Sequence, residues 1–266
     1  MMTLSELIPS LLKTVENAGV AILEIYNSGR DFGVEKKSDA SPLTLADKTS
    51  NTIICGDLEK LPLRYPIISE ENKQVPWSER RRWQRCWLVD PLDGTKEFIK
   101  KNGEFTVNVA LIEDDNPVLG VVHVPVSGET YWAVKNQGAF LQRNGQVHPI
   151  EAATFSDAEE GLRIVCSRSH LNDETRQFIA AYDHPQLVSK GSSLKFLMLA
   201  TGEAHMYPRV APTMEWDTAA AHIILEEAGG EVLHFETRQP LRYNKENLLN
   251  PSFLALAQLI ENQRMA

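Results

Sequence analysis

The chain has 266 residues, 42% hydrophobic and 24% charged, which suits a globular protein with a substantial core, as one large domain or two modest ones. Its net charge of −9 excludes a global basic field, so a nucleic-acid polymer is not an expected partner and any anionic ligand must be held by local cations or metal ions. Three scattered cysteines, no basic-then-apolar leader, and no apolar run approaching the ~20 residues of a bilayer span argue for the reducing cytoplasm and against secretion or a membrane span.

Leu4, Leu7, Ile8, Leu11, Leu12, Val15, Ala18, Ala21, Ile22 and Ile25 recur at three- and four-residue steps. That spacing predicts a long amphipathic helix closed by Gly29, and acids rather than lysines on its polar face argue against a membrane-surface role. A second helix is predicted over 45–61, with Asp47 near its start. Residues 65–69 form a short apolar run that ends in Glu70 and Glu71.

Trp87, Leu88 and Val89 read as a buried strand that stops at Asp90, where Pro91 turns the chain. Asp93 follows, and Gly94 and Thr95 open a helix with Thr95 as its N-cap. Apolar or alternating runs at 105–112, 118–124, 130–134 and 139–142 then predict an antiparallel meander ending near Ile150, with Asn144-Gly145 as a hairpin turn. From residue 151 strands and helices alternate, at 162–166, 173–182, 186–190, 193–201, 205–209, 217–228 and 231–235. From Pro251 periodicity fits strand and helix equally. A meander followed by β/α alternation predicts two layered subdomains, 1–150 and 151–266, with a seam between them where a cleft belongs.

Two carboxylates on a stiff turn beside free N–H groups suit a hard divalent cation and a phosphate at once. Asp90 and Asp93 could equally be turn and cap residues, Glu70 a solvated strand end, Asp217 an N-cap and Asp47 an exposed helical charge. Four such acid-bearing segments in one chain favour a shared metal site.

Thr44 with Asp47, Ser69-Glu70-Glu71, Asp90-Pro91-Leu92-Asp93-Gly94-Thr95 and Trp216-Asp217 together resemble the inositol monophosphatase superfamily of Mg²⁺-dependent, lithium-sensitive phosphatases. The run from Trp87 to Phe98 and on to Asn108, with Ser167-Arg168-Ser169-His170 and Gly191-Ser192-Ser193-Leu194-Lys195-Phe196, is similar to its 3'(2'),5'-bisphosphate nucleotidase branch.

The resemblance implies an α/β fold, an α-β-α-β-α layered sandwich with the site between its halves. It implies two or three Mg²⁺ ions: Glu70, Asp90 and the Leu92 carbonyl at one, Asp90, Asp93 and Asp217 at a second, and Asp47 reaching a third through water. Metal-activated water would hydrolyse the 3'-phosphate of adenosine 3',5'-bisphosphate, and of its sulfated form, with Thr95, Asp47 and Glu70 as catalytic residues. Asp93, Gly94, Thr95, Arg168, His170, Ser192, Lys195, Arg209 and Asp217 would contact the substrate. The expected partner is that small nucleotide, in the cytoplasm, with peripheral contact at the inner membrane left open. An inositol or sugar phosphatase with the same metal core is the alternative, and a silent metal-binding module or a non-cleaving nucleotide sensor are the competing classes.

Overall fold

The N-terminal apolar stripe folds as a 3-10 turn, Leu4–Leu7, running into α1 (Ile8–Asn27), with Gly29 in the left-handed region just beyond. The computed structural model describes residues 3–29, 32–36, 42–166 and 172–260 of the chain. A two-residue pairing of β1 (Glu35–Lys36) with β2 (Pro42–Leu43) leads into α2 (Leu45–Leu58). Next come β3 (Ile67–Ser69), the single turn α3 (Trp77–Arg80), β4 (Arg85–Asp93) and the five-residue α4 (Thr95–Ile99). The meander is β5 (Thr106–Glu113), β6 (Asn116–Val124), β7 (Glu129–Val134), β8 (Ala139–Arg143) and β9 (Gln146–Ile150). After β10 (Thr154–Phe155) the alternation is β11 (Arg163–Cys166), α5 (Asp173–Ile179), β12 (Gln186–Ser189), α6 (Leu194–Ala200), β13 (Met206–Arg209), α7 (Glu215–Glu227) and β14 (Glu231–His234). The segment after Pro251 resolves to strands, β15 (Phe253–Leu256) and β16 (Gln258–Leu259).

A seven-stranded sheet runs in simple order from β3 to β9, antiparallel except for the parallel pair β3 and β4. A five-stranded sheet has the order β12-β11-β13-β15-β14. The crossovers β11–α5–β12 and β12–α6–β13 run in opposite directions across parallel strands, so right-handed connections put α5 and α6 on opposite faces. The layers are therefore α1 and α2, the large sheet, α6 and α7, the small sheet, and α5. One apolar cluster lies beneath α1 and α2, with Trp87, Val89, Val107 and Leu111 on the sheet face they cover. The other joins both sheets through α6 and α7, with Leu88, Ala110, Val122, Ala220, Ile224 and Leu254. A Cβ at Gly120 would collide with the Ala220 carbonyl and the Ile223 side chain, so this glycine lets α7 lie directly on the large sheet.

Two local expectations are corrected. The strand does not stop at Asp90: β4 continues through Pro91 to Asp93, because a register shift between Asp90 and Asp93 absorbs the proline as an irregularity of the ladder. Thr95 is not the N-cap but the first helical residue. The cap position belongs to Gly94, at φ 97°, which a side chain would disfavour, and a Cβ there would also lie 2.9 Å from the Glu104 carbonyl oxygen.

Candidate active site

The bulge at the end of β4 decides where the acids point. Asp90 pairs with Asn108 and Asp93 with Thr106, so two residues on β4 lie opposite one on β5. Cross-strand partners share a face, and Thr106 and Asn108 lie two apart, so one extra residue in β4 brings both carboxylates to the same side. The Ser50 hydroxyl of α2 donates to the Pro91 carbonyl at 2.7 Å and holds the bulge from behind. Glu70 arrives at the end of parallel β3, its N–H donating to the Val89 carbonyl at 3.1 Å. Asp217 arrives from the first turn of α7, where its Oδ2 accepts the Met214 N–H at 2.8 Å. It caps its own helix and lines the cavity as well.

Glu70, Asp90, Leu92, Asp93, Gly94, Thr95 and Asp217 line one cavity of about 320 Å³. Asp47 stands behind it at the start of α2. Its Oδ2 accepts the Thr44 N–H at 2.7 Å and the Thr44 hydroxyl at 2.5 Å, while its Oδ1 accepts the Thr95 hydroxyl at 3.1 Å. Asp90 is 2% exposed, and burial, then the charges of Glu70, Asp93, Asp217 and Asp47, push its carboxyl well above the usual range. Burial and then the Asp93 charge push Asp217 up likewise. Such mutual repulsion disfavours the charged forms until a cation is supplied.

The donor set fits a hard divalent ion. It consists of carboxylates with the Leu92 carbonyl alongside, and it offers no sulfur or imidazole. Among the described residues, no three His, Cys, Asp or Glu side chains are already closed around one metal-sized point. In the hydrogen bonds Asp47 accepts from Thr44 and Thr95, Asp93 Oδ2 from Ser192 and Ser193, and Asp217 Oδ2 from Met214.

A second cavity of about 390 Å³ adjoins the first and shares Asp93, Gly94, Lys96, Glu97 and Asp217 with it. Its far side carries Lys190, Ser192, Lys195 and Arg209, with Tyr207 and Phe253 as apolar wall. Lys195 is 7% exposed; its ammonium donates to the Ser192 carbonyl at 2.6 Å and lies 5.4 Å from the Tyr207 ring centroid. Desolvation lowers its pKa to about 8, against the opposing pull of the Asp93 charge. Arg209 donates to the Pro212 carbonyl at 3.2 Å.

Thus the acids expected from the motifs converge, and Ser192, Lys195 and Arg209 share the neighbouring cavity. Arg168 and His170 lie outside the described residues. The motifs did not reveal Lys96 or Lys190 in the second cavity, nor Glu104, whose carboxylate accepts the Gly191 N–H at 2.9 Å. Thr106 and Asn108 were also missed, because only strand register places them opposite the two aspartates.

The chain matches the inositol monophosphatase family over residues 3–265. It is 42% identical over 247 residues to the 3'(2'),5'-bisphosphate nucleotidase CysQ of Salmonella typhimurium, spanning 93% of this chain and 98% of that one. To the protein of the same name from Escherichia coli K12 it is 43% identical over 248 residues, again 93% and 98%. The crystal structure of CysQ from Bacteroides thetaiotaomicron superposes with a TM-score of 0.83 at 43% identity, covering 94% of this chain and 96% of that one.

Proposed function

The chain belongs to the inositol monophosphatase family, and from that premise we propose that it is a 3'(2'),5'-bisphosphate nucleotidase. It converts adenosine 3',5'-bisphosphate to AMP, and by the same 3'-phosphate clamp acts on 3'-phosphoadenylyl sulfate. The observation that carries this reading is the adjacency of the two cavities: across Asp93 and Asp217 an acidic one adjoins one whose far side carries Lys190, Lys195 and Arg209. A substrate with a scissile phosphate and a second anion matches that polarity, whereas a neutral polyol has no use for the basic end.

Glu70, Asp90 and the Leu92 carbonyl would hold one Mg²⁺; Asp90, Asp93 and Asp217 a second; Asp47 a third, through water. Bound there, the ions supply charge neutralisation at the scissile phosphate and acidify water. Thr95, its hydroxyl directed to Asp47, orients the attacking water and passes its proton toward that carboxylate. Gly94 and Thr95 line the same cavity and offer N–H groups to phosphate oxygens. Ser192, Lys195 and Arg209, with Arg168 and His170, take the nucleotide and its second phosphate. The chain is divided for this purpose into subdomains 1–150 and 151–266, with the substrate between them.

Among the described residues no helix is long and apolar enough to cross a membrane. We place the enzyme in the cytoplasm, peripheral contact with the inner membrane being the alternative. The test is phosphate release from adenosine 3',5'-bisphosphate, 3'-phosphoadenylyl sulfate and inositol 1-phosphate, with and without Mg²⁺ and lithium. Mg²⁺-dependent, lithium-inhibited turnover with a higher kcat/KM for the nucleotides is expected. A preference for inositol 1-phosphate would overturn the assignment.

A further inference from the structure

We propose that Thr106 is a positioning residue for Asp93: through its hydroxyl the loop at Ser192 and Ser193 holds that carboxylate in the orientation that sets the acidic cavity's affinity for Mg²⁺. The proposal rests on the reading of that cavity as the metal centre.

Thr106 is fully buried, Ser193 is 1% exposed, and neither bears a charge to suggest a role in the site. Yet the Thr106 oxygen lies 2.6 Å from the Ser192 hydroxyl and 2.7 Å from the Ser193 hydroxyl. Asp93 Oδ2 accepts both the Ser192 hydroxyl and the Ser193 N–H, each at 2.7 Å.

Proton bookkeeping then gives the chain a direction. An ionised carboxylate only accepts, so the single Ser192 proton points to Asp93. Toward Thr106, Ser192 can then only accept, so the Thr106 proton goes to it at 2.6 Å, the Asn108 oxygen at 3.3 Å being the more distant acceptor. Thr106 has no second proton for Ser193, whose own proton serves Thr106 or the Asn108 oxygen 2.9 Å away. The bonds from Thr106 to Ser192 and from Ser192 to Asp93 run toward the carboxylate, and each donor in such a chain polarises the next. The loop itself needs this hold, because Ser192 sits at φ 52°, a left-handed conformation that a non-glycine residue keeps only when its surroundings impose it. Thr106 reaches the carboxylate by register as well, being the β5 partner of Asp93. The residue therefore ties together three segments, β4, β5 and the loop before α6.

The experiment is Mg²⁺ titration without substrate, read by calorimetry and by the Mg²⁺-induced rise in Tm, beside the Mg²⁺ dependence of turnover. Thr106→Val keeps the shape and removes the hydroxyl, and should weaken Mg²⁺ binding about tenfold or more, as loss of a group that orients a metal ligand does. Saturating Mg²⁺ should return most of kcat, and Thr106→Ser should restore the wild-type titration. A folded Thr106→Val protein with an unchanged Mg²⁺ titration would overturn the proposal alone. Should that variant not fold, Ser192→Ala removes the hydroxyl that links Thr106 to Asp93 while keeping the Ser193 N–H to that carboxylate. It too must weaken Mg²⁺ binding, and a wild-type titration there overturns the proposal. A wild-type protein that binds no Mg²⁺ overturns the metal-centre reading and this proposal with it.

Discussion

The two adjoining cavities share Asp93, Gly94, Lys96, Glu97 and Asp217 yet are built in opposite ways. The acidic one rests on strand ends of the large sheet and on the first turn of α7, buried elements whose positions are set by ladders and core packing. The basic one draws on the ends of β12 and β13 and on a loop held in a left-handed conformation at Ser192. In the first, burial and crowded like charges push the Asp90 and Asp217 carboxyls up; in the second, desolvation lowers the pKa of the buried Lys195 ammonium to about 8. A rigid scaffold can impose repulsion that only a bound cation relieves, whereas a loop-borne subsite can adjust to an anion as it arrives. On the proposed reading the pair of cavities aligns a bisphosphate by its own polarity.

The largest test of that contrast is Asp90→Asn. Removing the carboxylate proposed to serve both metal positions should lower kcat/KM by about a hundredfold to a thousandfold or more, the rate equivalent of several kcal/mol of charge stabilisation. Without metal the same variant should be at least as stable as wild type, because it no longer buries a repelled charge. A metal-free Tm well below wild type would contradict the strain ascribed to the acidic cavity. Next is Thr95→Ala, expected to cost about 10²–10⁴ in turnover, the range for a positioned proton-transfer group, while the Mg²⁺-induced rise in Tm persists. Surviving turnover would remove Thr95 from its role.

The basic cavity should respond more mildly and in binding. Lys195→Met should raise KM for adenosine 3',5'-bisphosphate by about 10–100-fold, the worth of a charged hydrogen bond, with a smaller effect on kcat. Because the Lys195 pKa is lowered to about 8, its charge is present below that pH and lost above it. KM should therefore rise as pH climbs past 8 in the wild type and stay flat in the variant.

The last test separates the fold from both cavities, since no effect on turnover is expected. His123 is 5% exposed, hydrogen-bonded to Thr130 at 2.8 Å, and burial lowers its pKa from 6.5 to about 4. Its folded form binds fewer protons than the unfolded chain between those values, so its contribution is full above pH 6.5 and lost as pH falls toward 4. The loss amounts to about 3 kcal/mol at pH 4, visible as an acid limb in urea unfolding that His123→Gln should flatten while turnover at neutral pH stays unchanged.

The elements were largely legible because their signals are local: the apolar period of α1 and the turn residues of the meander need no distant partner. The acids were legible for the same reason, each standing at the end of a short apolar run or at a helix start. Pro91 misled, since a proline ends an isolated strand but not one whose ladder can bulge around it. Gly94 rather than Thr95 takes the cap, because the close approach of the Glu104 carbonyl leaves no room for a side chain.

By itself, then, the amino-acid sequence determined which segments become strand or helix and which carboxylates are available, since propensity and period act over a few residues. Only the tertiary structure decided that Asp90 and Asp93 share a face, that Thr106 reaches Asp93 through Ser192, and that Lys190 joins Lys195 and Arg209 at one cavity. Those facts depend on register, a bulge and the docking of one sheet on another, which are set by packing between residues far apart in the chain.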